Sequence, residues 1–155
     1  MSFARLVKRL KDELSTPEAP EQPGHHPIRL ATAAVLLEIA HADGTFSPAE
    51  DGDVTSYLKR AFALGDDETR ELIEEAAELR AKTIDHFALT NFLRKSASLE
   101  ERIEIVRTMW RVVYSDGTLT DYEGYLVRKL ADLLGLEHRV MIDAKVSVLR
   151  EREAM

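Results

Sequence analysis

The chain contains no cysteine, which removes disulfides, thiolate metal sites and cysteine nucleophiles from consideration. It also lacks any apolar run approaching the roughly 20 residues that span a bilayer. The opening MSFARLVKRLKDEL sets charges among its apolar positions, so the uninterrupted apolar stretch of a secretory signal is missing too. These absences predict a cytoplasmic protein. Positive charge is in deficit: 21 Lys and Arg against 28 Asp and Glu give a net charge of −7. Binding to a phosphate backbone needs clustered positive charge, so no nucleic-acid partner is expected. An acidic surface suits cations or basic partners. Neither a nucleophile-elbow motif nor a Gly-rich phosphate loop is present. Triad hydrolysis is therefore unsupported, and the chain reads as a non-enzyme without an organic cofactor.

Proline is scarce and concentrated. Pro17, Pro20, Pro23 and Pro27 are four of the five in the chain, and that density favours extended backbone. Residues 15–27 therefore read as a linker. Before it, Phe3, Leu6, Val7, Leu10 and Leu14 share one helical face, with Arg5, Lys8, Arg9 and Lys11 largely off it. Residues 1–14 read as a short basic amphipathic helix. An anionic membrane face, a partner groove or the domain's own surface would each cover it. Peripheral contact with the inner face of a membrane is one of these options.

What is abundant is helical patterning. With 45% hydrophobic and 32% charged residues, the chain has enough apolar material for a packed core under a charged surface. Residues 28–155 read as one domain. The 3.6-residue period predicts helices near 28–42, 48–63, 67–83, 86–96, 99–115, 121–134 and 137–150. Asp66, Asp85 and Ser98 stand where N-caps belong, and Ser98-Leu-Glu-Glu101 has capping-box spacing. Gly65 and Gly135 are expected helix stops. No window sustains strand alternation. Short connections between helices predict an all-α bundle.

The domain repeats itself. With a shift of 73 residues, Asp43-Gly44-Thr45 falls on Asp116-Gly117-Thr118, Ser47 on Thr120 and Glu50 on Glu123. Upstream, Leu36, Leu37 and Ile39 fall on Met109, Trp110 and Val112. Downstream, Leu64-Gly65 pairs with Leu134-Gly135 after a small change of length. An apolar helix, a D-G-T-Φ-[ST]-x-x-E loop and a second helix thus occur twice. Repeated helical units usually stack to share one core.

Two readings of the loop stand side by side. In the first it is a joint and nothing more. Gly44 and Gly117 turn the chain out of a helix. Phe46 and Leu119 act as hydrophobic staples, Ser47 and Thr120 cap the next helix, Pro48 starts it, and Glu50 and Glu123 complete capping boxes. In the second, D-G-x-Φ-x-x-x-E reproduces the fifth to twelfth positions of an EF-hand loop, where the Asp and Glu ligate a hard cation. The first and third EF-hand positions fall on Ile39 and His41, and on Val112 and Tyr114. Neither loop is therefore a complete calcium cage.

The twinned A-D-G…E and S-D-G…E loops, each after a long apolar helix, resemble the TerB-like (tellurite-resistance) family over roughly residues 28–146. The resemblance implies an all-α, pseudo-two-fold bundle of about seven helices, here with the extra N-terminal helix. Members are associated with tellurite resistance and stress responses, and related domains occur beside J-domains in membrane-anchored proteins. A divalent-cation site of acidic residues is suspected in the family. Carried over, it points to Asp43, Glu50, Asp116 and Glu123, with Ca2+, Mg2+ or Mn2+ as the ion. The expected role is a weak cation-binding module in a stress-response or interaction system, with a protein partner. The alternative is a metal-free protein-interaction module.

Other constellations carry less. Glu38-Ile-Ala-His41 has the Glu-x-x-His spacing of di-iron bundles, but the second-half equivalents are Arg111 and Tyr114. His25 and His26 lie in the expected linker, and His86 and His138 read as surface residues. Glu71, Glu74, Glu75 and Glu78 form an acidic stripe of the kind that is usually a solvated face. Trp110, in register with Ile103, Val106 and Val113, reads as a core anchor.

Overall fold

The computed structural model describes residues 25–42, 48–82, 86–115 and 120–154. The expected N-terminal helix, most of the expected linker, both Asp-Gly-Thr turns and the expected cap Asp85 lie outside these residues. Among those described there are seven helices and no strand. They are α1 (His25–Ala40), α2 (Pro48–Phe62), α3 (Asp66–Lys82), α4 (His86–Ser96), α5 (Leu99–Tyr114), α6 (Asp121–Leu133) and α7 (His138–Glu153).

α1 is the centre of the bundle. It packs on α2, α3, α4, α5 and α6, and Leu30, Ala31, Ala33, Ala34, Val35, Leu36, Leu37, Ile39 and Ala40 are all buried. Its sequence is mostly apolar because most of its surface is covered, with His26 exposed and Arg29 and Glu38 half-buried. It begins three residues before the expected start and takes in Pro27. A proline is tolerated there because the first N–H groups of a helix have no intrahelical acceptor. α5 is the second core element, lying against α1, α2, α6 and α7. It buries Ile105, Val106, Met109, Trp110, Val112 and Val113. Trp110 is 1% exposed, with Tyr114 stacked beside it and Lys145 Nζ 5.3 Å from its ring centroid. The core-anchor reading of Trp110 holds.

The helix ends show how closely local signals were followed. Ser98 caps α5 in the expected box. Its hydroxyl accepts from the Glu101 N–H at 3.1 Å, and the Glu101 carboxylate accepts from the Ser98 N–H at 2.9 Å. Asp66 is not a cap. Gly65 holds that position, its N–H donating to Glu68 Oε1 at 3.2 Å and its carbonyl accepting from the Thr69 N–H. Gly65 is not the stop for α2 either. The chain leaves α2 through Ala63, at a left-handed φ of 53°, and the Leu64 N–H closes back on the Lys59 carbonyl at 3.1 Å. The same closure ends α6, with Gly135 at φ 81° and the Leu136 N–H on the Ala131 carbonyl. The structural partner of Gly135 is therefore Ala63, two residues before the glycine that the sequence pairing selects.

α2 and α5 are antiparallel. Tyr57 lies beside Glu104 and Glu101, while Asp53, a turn nearer the start of α2, lies near Arg111 towards the end of α5. α1 and α2 are antiparallel as well, since the Arg29 guanidinium sits over the Phe62 ring. At the far end of α6, the Leu134 carbonyl accepts from Arg102 Nη1 near the start of α5. The ends of α1 and α5 and the starts of α2 and α6 thus share one end of the bundle. The start of α1, the end of α2 and the start of α5 share the other. Among the described residues no helix is long and apolar enough to cross a membrane.

Candidate functional site

The described flanks of the two repeated loops, Ala42 to Pro48 and Ser115 to Thr120, stand at the same end of the bundle. Of the four candidate ligands, only Glu123 is described in full. Asp43 and Asp116 lie outside the described residues. Glu50 is placed by its backbone alone, in the first turn of α2.

Glu123 is 2% exposed, an unusual position for a carboxylate. Its Oε1 accepts from the Thr120 N–H at 3.0 Å, and its own N–H donates to Thr120 Oγ1 at 3.1 Å. This is the capping box expected from T-x-x-E, and it gives the buried carboxylate a local function. One oxygen is committed to the cap. A cation would have to take the other, so chelation by both oxygens, as in the last EF-hand position, conflicts with the cap.

An ion pair stands near this end. Arg111 forks onto Glu151, with Nε to Oε2 at 3.0 Å and Nη2 to Oε1 at 2.9 Å, tying α5 to α7. The Arg111 guanidinium holds the Glu151 carboxyl below the usual carboxylate range. Asp53, half-buried, is pushed upward by burial, against the opposing pull of Arg111 and Arg152. Sequence reasoning passed over Asp53. Its only sequence signal was its position three residues after Glu50, and its burial against two arginines of other helices is a tertiary fact.

The rival constellations resolve separately. Glu38 Oε2 lies 3.0 Å from Arg80 Nε, an ion pair whose N–H is not aimed at the carboxylate, since that Nε makes no hydrogen bond. His41 Nδ1 instead donates to the Leu37 carbonyl at 2.9 Å. Glu38 is thus paired with α3, and the second-half equivalents Arg111 and Tyr114 supply no matching Glu-x-x-His. His26, expected in the linker, lies within α1, and its Nε2 is 3.2 Å from Glu75 Oε2. Glu71, Glu74, Glu75 and Glu78 are exposed on α3, as a solvated face requires. Among the described residues, no group of three or more His, Asp or Glu side chains is arranged to hold a metal ion.

Comparison with known proteins adds one positive finding. The family model described as tellurite resistance protein TerB matches residues 29–146. No curated protein and no solved structure matches the chain significantly. The matched span runs from the first turn of α1 into the middle of α7 and includes both copies of the loop. A family model covering that span, on a seven-helix all-α bundle with a repeated helix–loop–helix, settles the assignment: the chain belongs to the TerB family.

Proposed function

We propose that this TerB-family domain is a binding module, not an enzyme. Its twinned loops hold a hard divalent cation weakly through Asp43, Glu50, Asp116 and Glu123, in a stress-response or tellurite-resistance setting. The observation that carries the reading is the common end of the bundle reached by the helix ends flanking both loops. Carboxylates gathered at one end repel. A pair ~5 Å apart costs about 3 kcal/mol at an effective dielectric of ~20. Such a group protonates, spreads or recruits a cation. Oxygen-only ligands favour Ca2+, Mg2+ or Mn2+ over zinc. Two features make the site weak: the apolar first half of each loop, and the Glu123 oxygen taken by the cap. We expect a dissociation constant near ~10⁻⁴–10⁻³ M.

The capping box of Thr120 and Glu123 favours a second reading. In it the loops are joints only, and the domain is a metal-free protein-interaction module. Calorimetric titration with calcium, magnesium and manganese at millimolar concentration separates the two. Saturable heat that disappears in the Asp43→Asn, Asp116→Asn double variant supports the cation. Glu50→Gln is expected to weaken binding less, because glutamine keeps a capping acceptor. Absence of heat and of any melting shift with all three ions leaves the loops as turns and caps.

A further inference from the structure

At the end of the bundle opposite the loops, a groove of about 330 Å³ runs between the last turns of α2 and the first turns of α5. Tyr57, Ala61 and Phe62 form its apolar side and Glu100, Glu101 and Glu104 its acidic side, while Arg60, whose guanidinium stands over the Tyr57 ring, also lines it; Glu104 is paired with Arg107, so Glu100 and Glu101 outnumber Arg60. Leu99, next to it at the start of α5, is 52% exposed, among the most exposed large apolar residues of the described chain. The Tyr57 ring is buried, and burial together with Glu104 and Glu101 pushes its hydroxyl well above the usual tyrosine range. The groove therefore combines an apolar side with negative potential. That combination selects an occupant that is apolar on one side and cationic on the other.

The chain carries such a segment. Residues 1–14 align Phe3, Leu6, Val7, Leu10 and Leu14 on one helical face and hold four basic residues, Arg5, Lys8, Arg9 and Lys11, against two acidic ones, Asp12 and Glu13. The chain also arrives at the right place. α1 begins at His25, and Arg29, one turn in, has its guanidinium 5.8 Å from the centroid of Phe62 in the groove. Residues 15–24 intervene, and ten extended residues reach up to roughly 33–36 Å. A 14-residue helix is about 21 Å long, so the tether is long enough to lay the segment along the groove. The acidic stripe of α3 lines a smaller pocket of about 140 Å³ with Leu64 and Leu72, where His26 and Arg29 of α1 already stand as the cations, and the exposed Tyr122 and Tyr125 of α6 stand at the other end of the bundle.

We propose that residues 1–14 dock, as an amphipathic helix, in the groove between α2 and α5 of the same molecule, with the apolar face on Tyr57, Ala61 and Phe62 and the basic residues towards Glu100 and Glu101. Because the chain has no cysteine, Ser2→Cys gives a single attachment point for a nitroxide on the full-length protein. The amide signals of Ala61, Phe62 and Glu100 are expected to lose most of their intensity, while those of Tyr122 and Tyr125 keep theirs. Leu6→Asp with Leu10→Asp is expected to abolish the loss. Three results overturn the proposal. One is an absence of site-specific broadening, or its appearance at another surface. Another is broadening that persists when spin-labelled, isotope-free protein is mixed with unlabelled, isotope-enriched protein, which assigns the groove to a second copy. The third is a label that becomes immobilised only on addition of phosphatidylglycerol vesicles, which assigns the segment to a membrane surface.

Discussion

The second helices of the two repeated pairs, α1–α2 and α5–α6, end in the same closure, and the pairs are placed differently. α1 of the first copy is enclosed by five other helices, while α5 of the second keeps a partly exposed polar side carrying Glu104, Arg107 and Arg111. The first copy closes its second helix with Ala63 in a conformation unfavourable for an L-residue, and the second closes with Gly135. The same repeat therefore met two environments. Central burial reduced the polar side of α1, which still binds α3 through Glu38 and Arg80, and α5 kept a wider one that binds α7 through Arg111 and Glu151. The difference teaches that the repeat fixes local geometry, while each copy's neighbours decide composition.

The largest effect should come from the matched core positions. Leu37 and Trp110 are equivalent in the repeat, and each is about 1% exposed. Trp110→Ala is expected to cost ~3–5 kcal/mol and Leu37→Ala ~2–5 kcal/mol in denaturant unfolding. A trivial cost at either position would break the equivalence of the two copies. Next come the helix exits. Gly135→Ala forces a left-handed alanine, worth ~1–2 kcal/mol, and its Cβ would stand 3.0 Å from Arg94 Nε and 3.1 Å from Arg102 Nη1. That crowding disturbs the Arg102 bond to Leu134. Ala63→Gly should act oppositely. It relieves the left-handed strain and adds unfolded-state entropy, for a net gain of about 0.5–1 kcal/mol. Opposite signs at the two exits in thermal melts would confirm that Ala63 and Gly135 are structural equivalents.

The smallest effect concerns the Arg111–Glu151 bridge of the second copy, whose counterpart in the first is the Glu38–Arg80 pair. Glu151 has its folded pKa depressed by Arg111, so its contribution is present above the unfolded carboxylate value and fades as pH falls through the folded one. The pair is partly exposed and screened. Glu151→Gln should therefore change stability slightly at neutral pH and remove a small part of the acid-side slope. An unchanged slope below the ordinary glutamate range would show that the bridge contributes nothing.

Helix number, order and most boundaries were legible because each helix carries its own periodicity, and Ser98 and Thr120 announce their caps within four residues. Three kinds of feature were not. Pro27 inside α1 looked like linker, because proline density cannot distinguish an extended chain from a first helical turn. Ala63 was hidden because nothing local marks an alanine as left-handed, and the glycine two residues later attracted the assignment. Asp53 and the α2–α5 groove arise from helices almost 50 residues apart in sequence, so no single window contains them. Of the candidate site, the Glu123 cap was legible from T-x-x-E, whereas the gathering at one end of the helix ends that flank both loops depends on α2 and α5 running antiparallel.

The most direct test of that gathering is a titration with paramagnetic Mn2+ followed through the amide signals of both loops. One joint weak site predicts that Gly44 and Gly117 broaden together from the first additions, along one saturable curve with its midpoint near ~10⁻⁴–10⁻³ M ion, and that Asp43→Asn abolishes the effect at both. Broadening confined to one loop, or none that saturates, would contradict a shared cation and leave the loops as helix joints.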